Sequence, residues 1–207
     1  MDKVEIHKMP LGPYGTNSYL LVCKATSDGV LIDPADEPEK ILKVSQQVKI
    51  VNILITHNHF DHIQALPAVK KALNVPVGIH ELDAGKISPI PDFYLKDGDV
   101  IKFGDCSLRC LFTPGHTAGS TAFYTAGNLI AGDTLFPGGP GKTANPAAFR
   151  DIVRSITDKI FSLPDETFVY PGHGEGTTVK QAKEEYANFN QRRHSPDLCG
   201  DVLWLSS

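Results

Sequence analysis

Thr56-His57-Asn58-His59-Phe60-Asp61-His62 packs three histidines and an aspartate into one short stretch. It follows Ile50-Val51-Asn52-Ile53-Leu54-Ile55, an apolar run that reads as a buried strand. The four polar groups therefore lie on the loop leaving that strand's carboxyl end. Imidazole nitrogen and carboxylate oxygen suit zinc, iron or manganese, with zinc the default for a histidine-rich set. So tight a cluster cannot wrap all four groups around one tetrahedral ion without strain. His57 and His59, two apart on extended backbone, can point to one centre while Asp61 and His62 turn to a second. That division predicts a two-metal site if the rest of the chain supplies more ligands.

Three further segments supply them. His116 lies in Thr113-Pro114-Gly115-His116-Thr117, Asp133 in Ala131-Gly132-Asp133-Thr134, and His173 in Tyr170-Pro171-Gly172-His173-Gly174. Each comes just after an apolar, strand-like run, and each has a glycine before it that lets the backbone turn tightly. Five of the eight histidines thus fall at strand ends on similar loops. A sheet-based fold builds a catalytic site in this way, by gathering side chains from several strand ends onto one rim. Taken singly, His116 or His173 reads as a turn histidine and Asp133 as a cap; together they read as a metal site.

This ordered pattern resembles the metallo-β-lactamase-fold hydrolases, and within them the hydroxyacylglutathione hydrolase (type II glyoxalase) group, over about Met9 to His173. The resemblance implies an α/β fold, an αββα sandwich of two mixed β-sheets with helices on the outer faces. It implies two divalent ions, zinc expected and iron or manganese compatible. His57, His59 and His116 would hold the first, Asp61, His62 and His173 the second, and Asp133 would bridge them. Asp33, in Val30-Leu31-Ile32-Asp33-Pro34, matches an aspartate that supports the metal loop from behind; a strand-end turn aspartate before proline is the other reading. Lys142, after Gly138-Gly139-Pro140-Gly141, falls where that group places a lysine on glutathione's carboxylate, though it also reads as loop surface. Two departures weaken the tie to glutathione. Ala144 stands where the group has tyrosine, and only one helix and a tail follow His173, without the longer helical extension.

Two ions sharing a hydroxide would attack a thioester carbonyl, with Asp61 and Asp133 as the catalytic carboxylates and Asp61 orienting the nucleophile. A thiolate leaves without a general acid, so an acyl-thiol such as a hydroxyacylglutathione is an apt substrate. Two alternatives use the same fold: a persulfide dioxygenase with a single iron, and a lactone or ester hydrolase.

At 207 residues, 41% hydrophobic and 21% charged, the chain reads as one domain, residues 1–207, with a short helix and tail over about 177–207. A formal charge of −4 gives no general attraction to nucleic acid or anionic membranes. The apolar stretches are strand-length, which excludes a transmembrane helix, and Met1-Asp2-Lys3-Val4-Glu5 lacks an apolar signal core. Four scattered cysteines read as a reduced set. The expectation is a cytoplasmic monomer or homodimer whose partner is a small-molecule acyl-thiol. The segment around Trp204 is expected to pack back on the domain or to cover a partner subunit.

Overall fold

The computed structural model describes residues 3–206. The first sheet is built in chain order from β1 (Val4–Leu11), β2 (Thr16–Cys23), β3 (Asp28–Ile32), β4 (Lys49–Leu54), β5 (Val77–His80) and β6 (Phe93–Leu95). Its first two pairings are antiparallel and the remaining three parallel. Helices α1 (Pro38–Val44), α2 (Phe60–Ile63), α3 (Leu66–Leu73) and α4 (Glu81–Ala84) fall between these strands. The second sheet has the order β14-β13-β10-β9-β8-β7, from β7 (Val100–Phe103), β8 (Cys106–Phe112), β9 (Thr121–Thr125), β10 (Asn128–Gly132), β13 (Phe168–Pro171) and β14 (Thr177–Thr178). A small ribbon of β11 (Leu135–Phe136) and β12 (Gly139–Pro140) follows β10. Helices α5 (Pro146–Ser155), which runs on through a π-turn at Ile156–Ile160, and α6 (Val179–Asn190) complete the fold.

Alternation along the strands divides the interior into three layers, because successive side chains point to opposite faces. Tyr19, Leu21 and Cys23 of β2 meet Leu108, Cys110 and Phe123 of the second sheet between the two sheets. Leu20 and Val22 point the other way, onto Ile41, Leu66 and Val69 of the helices. Across the molecule Leu129, Ala131 and Val169 face Phe149, Ile152, Ala182 and Phe189 of α5 and α6. Helix–sheet–sheet–helix is therefore the layer order, the expected αββα sandwich. The outer layer also takes in Trp204, which is fully buried; its truncation to alanine would cost ~3–5 kcal/mol. Cys106 and Cys110 share the inward face of β8, as their even spacing requires.

Strand direction is what positions the site. β3 and β4 run parallel, so Asp33 and the histidine loop leave the sheet at the same edge. β10 and β13 also run parallel, and β8, two antiparallel steps from β10, runs with them. The two edges are stitched together where Thr121 N donates to Thr56 O (2.9 Å) and Asn17 N donates to Gly172 O (2.7 Å).

Several elements differ from their sequence patterns. Apolar residues at 41, 42, 44 and 48 predict a helix over 37–48; the helix is shorter, because Glu37 takes a left-handed conformation (φ 48°) and the chain turns after Val44, and Val48 packs on the core from beyond that turn. The pattern over 63–73 predicts a second helix from Ile63; a turn of helix begins instead at Phe60, and the longer helix starts at Leu66, with Pro67 in its first turn, where a missing N–H is harmless. β6, β11, β12 and β14 escape sequence reading because two or three residues are too few to display alternation. His80 caps α4, its Nδ1 accepting from Leu82 N at 3.3 Å.

Candidate metal centre

Four strand ends deliver the ligand-type side chains to one place. His57 and His59 leave β4 on extended backbone, and the turn of α2 carries Asp61 and His62 to the other side. His116, Asp133 and His173 follow β8, β10 and β13. Ligand atoms of His57, His59, His116 and Asp133 all lie within 4.8 Å of one another, and so do those of Asp61, His62 and His173. Asp133 stands between the groups. Its Oδ2 is 3.4 Å from His116 Nε2 and 3.7 Å from His173 Nε2, and its Oδ1 is 3.4 Å from His62 Nε2. The position of Gly172 permits this crowding, since a Cβ there would come within 2.1 Å of Asp133 Oδ1.

Asp33 lies behind the ligands with both oxygens engaged. Oδ1 accepts from Thr56 N (2.7 Å), while Oδ2 accepts from Thr56 Oγ1 (2.6 Å) and from His62 Nδ1 (2.9 Å). Because the Thr56 hydroxyl proton goes to Asp33, its oxygen can accept from His57 Nδ1 at 2.9 Å. One buried carboxylate thereby sets two rings with Nδ1 protonated and Nε2 turned inward, as histidine ligands require. His116 is set the same way by Lys142 O, at 2.8 Å, and His173 by Tyr14 O, at 3.2 Å.

The inward atoms are only partly paired: His116 Nε2 lies 2.9 Å from His59 Nδ1 and His173 Nε2 lies 3.2 Å from Asp61 Oδ2. His57 Nε2, His62 Nε2 and Asp133 Oδ1 are buried without a hydrogen bond. Leaving such atoms unpaired costs ~1–3 kcal/mol each, which a cation among them would offset. The donor set of imidazole and carboxylate fits a divalent transition metal. Charge divides the site in two. Burial pushes the pKa of His57 well down, as it does more mildly for His59, so these rings are neutral lone-pair donors. Burial also opposes charge on His62, but Asp133 and Asp33 outweigh it and raise its pKa to about 10. The hydrogen bond with Asp61 raises His173, and the same contact leads in holding Asp61 well below the usual carboxylate range.

Sequence reading missed the groups that hold the loops. Asp83, on α4 and 1% exposed, accepts from Asn58 N (3.0 Å), Thr117 Oγ1 (2.7 Å) and Gly119 N (2.9 Å), tying the loop of His57 and His59 to that of His116. Thr16 Oγ1 donates to Asp61 Oδ2 at 2.9 Å, and Asn17 Nδ2 donates to Pro171 O and Gly174 O, both at 3.0 Å. In sequence Asp83 is one acid on a short helix and Thr16 one polar residue at a strand start. Neither carries a local signal. Lys142 lies beside the cluster, its Nζ 3.5 Å from Asp201 Oδ2. Arg192 instead donates to the carbonyls of Trp204 and Leu205, and His194 stacks on Phe189.

A family model described as the metallo-beta-lactamase superfamily matches residues 11–173, a span that holds all seven ligand-type side chains. The chain belongs to the metallo-beta-lactamase superfamily. Within this superfamily it is similar to the probable metallo-hydrolase YqgX of Bacillus subtilis, 33% identical over 88% of this chain and 96% of that one. It is also similar to a hydroxyacylglutathione hydrolase of Polaromonas sp., 36% identical over 77% of this chain but only 62% of that longer protein. Among solved structures, TTHA1623 in a di-iron-bound form superposes with a TM-score of 0.72 at 36% identity, covering 86% of this chain and 96% of that chain. The His/Asp cluster thus sits in a superfamily that uses divalent metals, and no helix among the described residues is long and apolar enough to cross a membrane.

Proposed function

We propose that this metallo-beta-lactamase superfamily member is a binuclear hydrolase that cleaves a thioester, of the hydroxyacylglutathione type or a related acyl-thiol, with zinc the expected metal. The observation that carries the reading is the set of buried atoms without a hydrogen bond on His57, His62 and Asp133, with Asp133 between two ligand groups. His57, His59 and His116 would hold one ion, Asp61, His62 and His173 the other, and Asp133 both. Divalent ions there would acidify a water and polarise the substrate carbonyl.

The residues themselves do the rest. Asp33 orients His57 and His62 through its fixed hydrogen bonds. Asp61, steadied by Thr16 and flanked by His173, is placed to align the attacking water. Asp61 and Asp133 are both held below the normal carboxylate range, so neither offers a proton to a leaving group at neutral pH. That favours a substrate whose leaving group departs as an anion, and a thiolate does so far more readily than an alkoxide or an amide nitrogen. Lys142 lines the adjoining pocket, where it would meet the carrier. The similarity to the Polaromonas hydroxyacylglutathione hydrolase supports the same substrate class.

The test is hydrolysis of S-lactoylglutathione by protein loaded separately with zinc and with iron at defined stoichiometry. Turnover that requires two ions per chain is the expected result. No turnover with either metal would overturn the thioester reading. Oxygen uptake on a glutathione persulfide with one iron would replace it with the oxygenase reading.

A further inference from the structure

A pocket of about 260 Å³ opens directly beside Asp133 and His116. Phe136, Pro140, Val202 and Leu203 give it apolar walls, and Lys142 is the one lysine or arginine among its lining residues. One wall is a strap of chain near Trp204 rather than a helix or strand of the sandwich. The strap is firmly seated. Thr143 and Gly200 exchange two backbone hydrogen bonds (3.1 and 3.0 Å), and Trp204 N donates to Gly138 O at 2.8 Å. Contact with the loop beneath is so close that a Cβ on Gly139 would lie 2.6 Å from Val202 O.

Alternation fixes what the strap shows the pocket. Val202 and Trp204 are buried in the outer core, while Asp201 and Leu203 are exposed and border the cavity. Asp201 Oδ2 then lies 3.5 Å from Lys142 Nζ, so the pocket's single ammonium already has a carboxylate beside it. This contact bears on substrate choice. A carrier end bearing a carboxylate must displace Asp201 from Lys142 and then remain next to the displaced anion. A neutral carrier bearing amides meets no such repulsion, because Lys142 can donate to its carbonyls and Asp201 can accept from its N–H groups.

We propose that Asp201 is a specificity determinant that, by neutralising Lys142 at the pocket mouth, turns this enzyme toward neutral, amide-bearing thiol carriers and away from anionic ones. The inference rests on the thioester reading. S-lactoylglutathione carries two carboxylates against one ammonium, whereas S-lactoyl-N-acetylcysteamine is neutral. Comparing kcat/KM for the two isolates carrier charge while the acyl group stays fixed. The ratio of anionic to neutral substrate should rise about two- to fivefold in Asp201→Asn, the range expected for one exposed charge contact, and should do so through KM. Lys142→Ala should move the ratio the other way, and 0.5 M salt should shrink both shifts. An unaltered ratio in Asp201→Asn would overturn the inference while leaving thioester hydrolysis standing.

If the wild-type protein cleaves neither substrate, thioester hydrolysis fails and binding decides the role of Asp201. Calorimetric titration with S-methylglutathione and with N-acetyl-S-methylcysteamine should then show Asp201→Asn tightening the anionic ligand relative to the neutral one. Equal changes for both ligands, or none for either, would refute the assignment.

Discussion

The two halves of the metal cradle are built from the same residue types but are prepared differently. His57, His59 and His116 gather behind Asp133, and His57, held through Thr56, is 1% exposed. Burial keeps His57 and His59 uncharged, so that half presents lone pairs to an incoming cation. Each half pairs a buried ring with one that reaches solvent: His59 is exposed beside the buried His57, and the side chain of His173 is 31% exposed beside the buried His62. Carboxylate neighbours in the second half raise both His173 and His62, the latter to about 10, so that His62 holds a proton where a cation would bind. One half offers neutral rings to a cation; the other must give up a proton to bind one. Identical ligand chemistry can thus yield two sites of different affinity and pH response, decided by what stands behind each ring.

Removing the group common to both halves should erase the difference altogether. Asp133→Ala takes away the one carboxylate among the described residues that reaches His62, His116 and His173 at once. Hydrolysis should fall by ~10³-fold or more, on the several kcal/mol that a metal pair supplies, and bound metal measured by elemental analysis should drop with it. Substantial activity at full metal content would refute the bridging position. Asp33→Ala should come next. It frees the Nδ1 side of His62 directly and of His57 through Thr56, and a loss of ~10–100-fold in metal affinity is expected in both halves. Asp83→Asn acts on one half alone. It weakens the clamp between Asn58 and Thr117, so the first ion should bind ~10-fold more weakly while the second changes little.

The ligand-type residues and Asp33 behind them were legible in sequence, while the other supports were not, for a physical reason. A metal needs particular donor atoms, so His57, His59, Asp61 and His62 stand out by composition and spacing alone. Their convergence with His116, Asp133 and His173 follows from strand ends, which apolar runs mark well. Asp83 and Thr16 act across long sequence separations on backbone N–H groups and a carboxylate, contacts that any short polar residue could make. The fold was readable wherever strands exceed about four residues, the length at which alternation appears. It was unreadable at β6 and β14, whose existence depends on neighbours. Trp204 was legible as a segment that must be buried; the pocket wall it anchors was not, because Asp201 gains its meaning only from Lys142.

The charge difference between the halves predicts how pH separates them. His62, with its pKa raised to about 10, stays protonated at neutral pH, and a metal must displace that proton; lowering the pH strengthens the competitor. Affinity of the half containing His62 should therefore fall about tenfold per pH unit for each proton displaced, with proton release on binding. The half containing His57 and His59 should respond much less above neutrality, since those rings are already deprotonated there. Calorimetric titration of zinc in buffers of different ionisation enthalpy reads the proton count for each ion. Equal proton release at both steps would contradict the asymmetry.

The smallest expected effect probes the half of Asp61, His62 and His173 most selectively. Thr16 is buried at the start of β2 and donates its hydroxyl to Asp61 Oδ2, while its backbone bridges to His173. Thr16→Val keeps the shape, the strand and that bridge, and removes only the hydroxyl. Asp61 should then retain its approach to His173 but lose one restraint on its orientation. The second ion should bind ~5-fold more weakly, the worth of about 1 kcal/mol for a single hydrogen bond, with the first ion unaffected. Hydrolysis at saturating metal should change less than affinity does, because the carboxylate is still present once the ion has fixed it. If instead both ions weaken together, β2 supports the whole cradle and the two halves are one cooperative unit. Weakening confined to the second ion would locate its affinity in the contact between β2 and the loop of His173, which Asn17 also grips at Pro171 and Gly174.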